Sequence, residues 1–294
     1  MITIKNTKLK YLLEGVDDKI KDNFKTDKEG LYSITKYTQA EIITKLILKH
    51  CKINKKDSKI LDACACVGGN LLSFVKYFDK CYGFEINEKR YKYLQNNLKF
   101  FNNVNLYNIS SVYFIDEYIK NLKIDINNLK IDDLKNKNNK IFDIIFFDPP
   151  WGGEDYKEKK ELELYLDNIN LKDIIKKSFL ISNYIILKVP KNYNFFDLNL
   201  FGLNLDIFPI ISSKSSFYNL IIISINNIKF FLNQFNKSID DINIEIKNND
   251  TLNKKTNNKK YGYIKFYKKN LNNKFNDVIN NLFLNKNNIN FSII

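Results

Sequence analysis

A chain of 294 residues that holds one histidine, one tryptophan and one methionine is barred from several common active sites. With His50 as the single imidazole, no nucleophile–base pair is visible for covalent catalysis. Cysteine is equally sparse. Cys51, Cys64, Cys66 and Cys81 fall within one third of the chain, and Cys64 and Cys66 have no matching second pair. Neither a zinc site nor a disulfide framework fits that spacing, so no metal is expected and the thiols are expected to be reduced. No apolar run approaches the length of a membrane span, and the start "MITIKNTKLKYLLEG" lacks the apolar core of a signal peptide. The expectation is a soluble, intracellular protein, nuclear or cytoplasmic, that acts as a monomer and not at a membrane. Acidic residues are in deficit, 33 Asp+Glu against 47 Lys+Arg, which leaves a net charge of +14. That balance points to a polyanionic partner, with counterion release as the driving force.

What is present alternates. "KILDACACV", "KCYGFEI", "NVNLYNI", "IFDIIFF", "NYIILKVP" and "FYNLIIISI" read as strands. "LLSFVKYF", "EKRYKYLQNNLKFF" and "LYLDNINLKDIIKKSFLI" read as helices between them. Before them, "YTQAEIITKLILKHC" places Ile42, Leu46 and Ile47 on one helical face behind a cap at Thr38. Alternation of this kind predicts an α/β fold: a parallel sheet with helices on both faces. Three regions are expected. Residues 1–50 form an N-terminal helical extension contributing to the substrate site, 51–226 the core, and 227–294 an Asn/Lys-rich appendage. Residues 117–140 read as a surface insertion.

Three stretches carry chemistry. In "LDACACVGGN" a strand ends at Asp62, and Gly68 and Gly69 let the backbone approach a ligand closely before a helix begins. The turn is not the G-x-G-x-x-G of a dinucleotide site. In "YGFEIN" Glu85 ends the second strand, where a carboxylate can take both hydroxyls of a ribose. In "FFDPPWGGEDY" a buried strand runs into Asp148, Pro149, Pro150 and the sole tryptophan, Trp151. These residue types suit methyl transfer to the exocyclic amine of a base. That amine is a poor nucleophile, its lone pair delocalised into the ring. A carboxylate and a rigid backbone carbonyl can accept its N–H bonds and turn the lone pair toward an electrophile, while an indole stacks on the base.

Together these stretches resemble the class I S-adenosylmethionine-dependent methyltransferases, and more narrowly the trimethylguanosine synthases that hypermethylate RNA caps. "EGLYSIT" and "VPKN" resemble two further stretches of that family, and the likeness covers about residues 9 to 225. The resemblance implies a Rossmann-like, mostly parallel seven-stranded sheet, S-adenosylmethionine as cofactor and RNA bearing a 7-methylguanosine cap as partner. It implies cofactor contacts at Tyr32, Thr35, Asp62, Cys64, Gly68, Gly69, Asn70, Glu85, Ser110 and Asp148. Asp148 and the Pro149 carbonyl would position the guanine N2 amine, and Trp151 would stack on the base. Tyr156, Lys191 and Lys25 would reach the triphosphate. A 7-methylated guanine is cationic, so an indole face gains ~0.5–2 kcal/mol over plain guanine, roughly a threefold to thirtyfold preference.

The chain also departs from that family. Asp148 stands where the family commonly has serine, closer to the D-P-P-[FY] of enzymes that methylate guanine N2 or adenine N6 within RNA or DNA. Ser110 stands near the place of an acid that contacts the adenine amine, and Lys191 replaces an arginine. The expected activity is cap guanosine-N2 methylation by direct in-line transfer. Methylation of internal bases is the alternative, and an RNA-binding module without catalysis a third reading.

Overall fold

The computed structural model describes residues 1–123, 140–194, 204–211, 217–224 and 264–266. Four helices open the chain: α1 (Thr7–Leu12), α2 (Asp18–Asn23), α3 (Lys28–Ser33) and α4 (Tyr37–His50). The first three are short, and each begins on a side chain that accepts from its first turn, Asn6, Asp17 and Asp27 respectively. β1 (Lys59–Asp62), α5 (Leu71–Phe74), β2 (Lys80–Phe84), α6 (Glu88–Leu98), β3 (Val104–Tyr107), α7 (Ser111–Asn121) and β4 (Phe142–Phe147) follow. Then come β5 (Tyr165–Leu166), β6 (Ile169–Asn170), α8 (Leu171–Ser178), β7 (Ser182–Pro190), β8 (Asn204–Ile211), β9 (Phe217–Ser224) and β10 (Ile264–Phe266). The fold is the expected α/β class with a mostly parallel sheet.

The chain divides into two compact units, residues 1–150 with 164–186, and 151–163 with 187–294. In the first, the strand order is β7-β4-β1-β2-β3, and β1 pairs in parallel with both β2 and β4. The chain therefore leaves β1 in one direction for β2 and β3 and returns on its other side as β4. The carboxyl ends of β1 and β4 bound a topological switch point, where open α/β sheets bind their ligands. Both strands are apolar because both sheet faces are covered: Ile60, Leu61, Ile144, Ile145, Phe146 and Phe147 are fully buried. Phe74 of α5 meets Phe146 edge-to-face at 5.3 Å. In the second unit the later half of β7 continues into the order β7-β9-β8-β10, with β8 antiparallel to β9 and to β10.

Several local expectations needed correction. Lys36, not Thr38, precedes the first turn of α4, and it makes no side-chain cap bond. Leu46 and Ile47 of that helix are buried as expected, together with Ala40, Ile43 and Thr44, but Ile42 is only half-buried. "LYLDNINLKDIIKKSFLI" is a tight hairpin followed by a helix. Asp167 and Asn168 take left-handed φ of 49° and 62° between β5 and β6, which the short polar side chains of Asp and Asn tolerate. Residues 117–121 belong to α7, and the remainder of the 117–140 insertion lies mostly outside the described residues. Of the 227–294 appendage only β10 is described. β8 has no counterpart in the sequence reading.

Candidate active site

Strand register brings the expected carboxylates to one edge. Asp62, the last residue of β1, is level with Gly83 on β2 and with Phe146 on β4. Each chain therefore leaves the sheet there. Hydrogen bonds from Ala63 N–H to the Phe146 carbonyl, Ala65 N–H to Phe84 and Glu85 N–H to Tyr107 extend the pairing just beyond the strand ends. Asp62 is fully buried and accepts from the Cys64 N–H at 3.2 Å. Glu85 is 7% exposed, accepts from the Asn87 N–H at 2.7 Å and faces Arg90 of α6 at 3.6 Å.

The glycine turn is built by close approach. A Cβ on Gly69 would come within 2.7 Å of Ile34 Cγ1 and 3.2 Å of both the N and O of Thr35. Only glycine lets the turn and the 34–35 backbone share that space. The helix behind it is a single turn, Leu71–Phe74, so its dipole adds less than the sequence suggested. Asn70 does not cap it. Its side-chain N–H instead donates to Asp148 Oδ2 at 3.4 Å, and Thr35 Oγ1 donates to the same oxygen at 3.3 Å. Asn70 Oδ1 is buried and has no hydrogen-bond partner among the described residues. Thus Thr35, Asn70 and Asp148, separated widely in sequence, meet within the first unit.

Electrostatics tie the group together. Burial pushes the Cys64 thiol well up, and the carboxylates of Asp62, Asp148 and Glu85 push it further. Cys66, at a left-handed φ of 49°, is pushed up to about 12, chiefly by burial and then by Glu85. Burial also raises Glu85 itself, against the lowering pull of the Asn87 N–H and Arg90. A carboxylate desolvated in this way gains more from a hydroxyl donor than one in water.

Two residues that sequence reasoning passed over hold the N-terminal segment to this edge. Arg90 pairs with Glu29 of α3 as well as with Glu85. Asn97 of α6, 1% exposed, accepts from the Lys25 N–H and donates to the carbonyls of Lys25 and Val67. Both read from sequence as ordinary positions on a polar helix; their long-range partners carry no local signal. Tyr32 is exposed, with Lys8 Nζ 5.8 Å from its ring centroid. Ser110 caps α7 and donates to the Asp167 carboxylate, so the hairpin of β5 and β6 brings an acid to the place where the strand lacks one.

The second unit contains the aromatic part. Trp151 meets Tyr156 edge-on at 5.3 Å and 80°, and its ring N–H is buried without a hydrogen-bond partner among the described residues. Gly152 and Gly153 follow at φ of 89° and 81°, a left-handed pair that turns the chain directly after the indole. Asn192 donates to the carbonyls of Tyr156 and Lys159, which fixes the end of the "VPKN" stretch to the tryptophan loop. Lys191 is exposed beside it. Lys188, unremarked in the sequence, is 6% exposed with Nζ 5.4 Å from the Trp151 ring centroid. Among the described residues no His/Cys/Asp/Glu group is arranged to hold a metal, and no helix is long and apolar enough to cross a membrane.

Residues 57–274 match the family model of the RNA cap guanine-N2 methyltransferases. An uncharacterized protein, L320, of Acanthamoeba polyphaga mimivirus is 36% identical over 193 residues, 58% of this chain and 68% of its own length. Among solved structures, an rRNA methylase from Streptococcus thermophilus is similar with a TM-score of 0.39 and 10% identity, over 64% of this chain and 93% of that one. A precorrin-6y C5,15-methyltransferase from Geobacter metallireducens reaches a TM-score of 0.41 and 17% identity, over 72% and 98%.

Proposed function

Because the chain belongs to the RNA cap guanine-N2 methyltransferase family, we propose that it methylates the exocyclic N2 amine of 7-methylguanosine at an RNA 5′ cap, using S-adenosylmethionine, to give the dimethyl or trimethyl form. The observation that carries this reading is the carboxylate of Asp148, gripped by Thr35 and by Asn70 of the glycine turn. Cofactor loop and base-positioning turn are thereby one hydrogen-bonded group.

The residues fit such a cofactor. Glu85 and Asp62 offer buried carboxylates for hydroxyl and ammonium donors, and Asn70 Oδ1 is an acceptor unmet among the described residues. When bound, S-adenosylmethionine supplies a methyl group on a sulfonium centre that needs no acid to leave. Thr35, Cys64, Gly68 and Asn70 complete its contacts, with Tyr32 and Ser110 at the margins. The protein's own part is alignment. Asp148 and the Pro149 carbonyl accept the two N2–H bonds and direct the lone pair. Trp151, two residues beyond Pro149, stacks on the base. Tyr156, Lys191 and Lys25 attract the triphosphate, in keeping with the net charge of +14.

One feature favours a second reading. An aspartate before the two prolines suits guanine-N2 or adenine-N6 methylation within RNA or DNA equally well. The deciding experiment is methyl transfer from labelled S-adenosylmethionine to 7-methylguanosine triphosphate, with GTP and uncapped RNA in parallel. Label in the 7-methylated nucleotide alone supports the cap reading; label in uncapped RNA instead replaces it with the internal-base reading.

A further inference from the structure

Two tyrosines of the N-terminal helices are left to solvent, Tyr11 on α1 and Tyr32 on α3, 60% and 48% exposed. One exposed aromatic ring needs no explanation. These two are joined by lysines. Lys8, one helical turn before Tyr11, reaches across to Tyr32, its Nζ 5.8 Å from the ring centroid. Lys28 stands one turn before Tyr32 on α3, and Lys36 Nζ lies 3.7 Å from the Tyr11 centroid. Lys36 is paired with Glu14, whereas Lys8 and Lys28 are exposed and have no carboxylate partner among the described residues. We propose that this face of α1 and α3 docks single-stranded RNA, with bases stacked on Tyr11 and Tyr32 and phosphates against Lys8 and Lys28. The inference rests on the reading that the methyl acceptor is a base of RNA, and extends it from the base to the strand attached.

Rings interleaved with ammonium groups suit a single strand, in which every base offers a π-face and every linkage a charge. A duplex keeps its base faces inside its own stack and would use the lysines alone. The net charge of +14 favours the same partner. Magnitudes allow the exchange that docking requires. An exposed cation–π contact contributes roughly twofold to fivefold, so a base that displaces the ammonium from a ring forfeits little. Stacking that base gains roughly fivefold to 150-fold, and the released ammonium stays beside the phosphate. Position agrees with this. Tyr32 is three residues before Thr35, so its backbone lies within about 11 Å of the residue that donates to Asp148. A strand whose base is held at Asp148 has these rings within reach.

The full chain would be titrated with 7-methylguanosine triphosphate and with single-stranded RNA of ~12 nucleotides, capped and uncapped, a length within the usual single-strand site size. S-adenosylhomocysteine binding by calorimetry checks folding. The wild-type protein should bind the capped RNA at least about tenfold more tightly than the nucleotide. Tyr11→Ala should lose about fivefold or more on the RNA and nothing on the nucleotide, and Tyr11→Phe should keep both. Lys8→Gln combined with Lys28→Gln should flatten the slope of log affinity against log salt by about 1.4, two phosphates at about 0.7 each. Capped RNA bound no better than the nucleotide overturns the inference whether or not a variant folds. So do wild-type RNA affinity in Tyr11→Ala, an unchanged slope in the lysine pair, or a preference for duplex RNA. If uncapped RNA binds with these same losses while the nucleotide does not, the cap reading fails and the docking surface is supported. If neither RNA nor nucleotide is bound while S-adenosylhomocysteine is, the reading of an RNA substrate fails and takes this inference with it.

Discussion

The side chain of Asn97 closes a two-way hydrogen bond on the backbone of Lys25, accepting from its N–H at 2.8 Å and donating to its carbonyl at 2.9 Å. The same amide donates to Val67 at 2.9 Å, inside the glycine loop. One buried side chain thus fastens the N-terminal segment to the turn expected to hold the cofactor. Asn97→Ala leaves three backbone groups without partners and should cost about 3 kcal/mol in urea unfolding. A loss below about 0.5 kcal/mol would mean that water replaces the amide there.

Glu85 yields a prediction of opposite signs for stability and binding. Its carboxyl is held above the ordinary glutamate range by burial, so ionising it costs folding free energy, and that cost appears as pH rises above about 4.3. Glu85→Gln should therefore raise the melting temperature at neutral pH. It should also weaken S-adenosylhomocysteine roughly tenfold to hundredfold, because a charged acceptor for hydroxyls is gone. Destabilisation at neutral pH would show that Arg90 matters more than burial.

Gly69→Ala tests whether the turn is built by close approach. The new methyl would press on Ile34 and on the backbone of Thr35, whose hydroxyl is held by Asp148. S-adenosylhomocysteine affinity should drop by at least tenfold in calorimetry while far-ultraviolet circular dichroism stays native. Undiminished affinity would place the cofactor away from this turn.

Trp151→Ala and Asp62→Ala should separate the two halves of the reaction. The first should lose about tenfold to hundredfold in affinity for 7-methylguanosine triphosphate and keep S-adenosylhomocysteine. The second should do the reverse. Loss of both ligands in Trp151→Ala would make the indole a structural residue.

Thiol chemistry offers a check that needs no substrate. Burial and the surrounding carboxylates hold the thiols of Cys64 and Cys66 protonated at neutral pH. Both should react with iodoacetamide far more slowly in the native protein than in urea, and S-adenosylhomocysteine should slow Cys64 further. Rapid native alkylation at Cys64 would show that the edge opens readily.

Strands read as continuous apolar runs were legible because a sheet covered on both faces leaves nothing else for them to be. The place of the expected site residues Asp62, Glu85 and Asp148 was legible for a related reason: each lies at or just past a strand end, and Gly69 and Asn70 stand in the loop between β1 and α5. Asn97, Arg90 and Lys188 were not. Each lies inside a regular element, and its partners, Lys25 and Val67, Glu29, and Trp151, are fixed by packing far away in sequence. The hairpin at Asp167 was missed because a helical period in "LKDIIKKSFLI" spread backward over a two-residue turn.

Strand register also sets an order of assembly. Joining β1 to β2 brings Asp62 to Gly83, 83 − 62 = 21 positions apart; joining β1 to β4 brings it to Phe146, 146 − 62 = 84 positions apart. The longer closure spans four times the chain and costs about 1.2 kcal/mol more in loop entropy. The edge that carries Glu85 and the glycine turn can therefore close on a partial chain, before Asp148 and the tryptophan loop have been synthesised. An arrested or truncated chain would show the edge expected to hold the cofactor without the turn expected to receive the base.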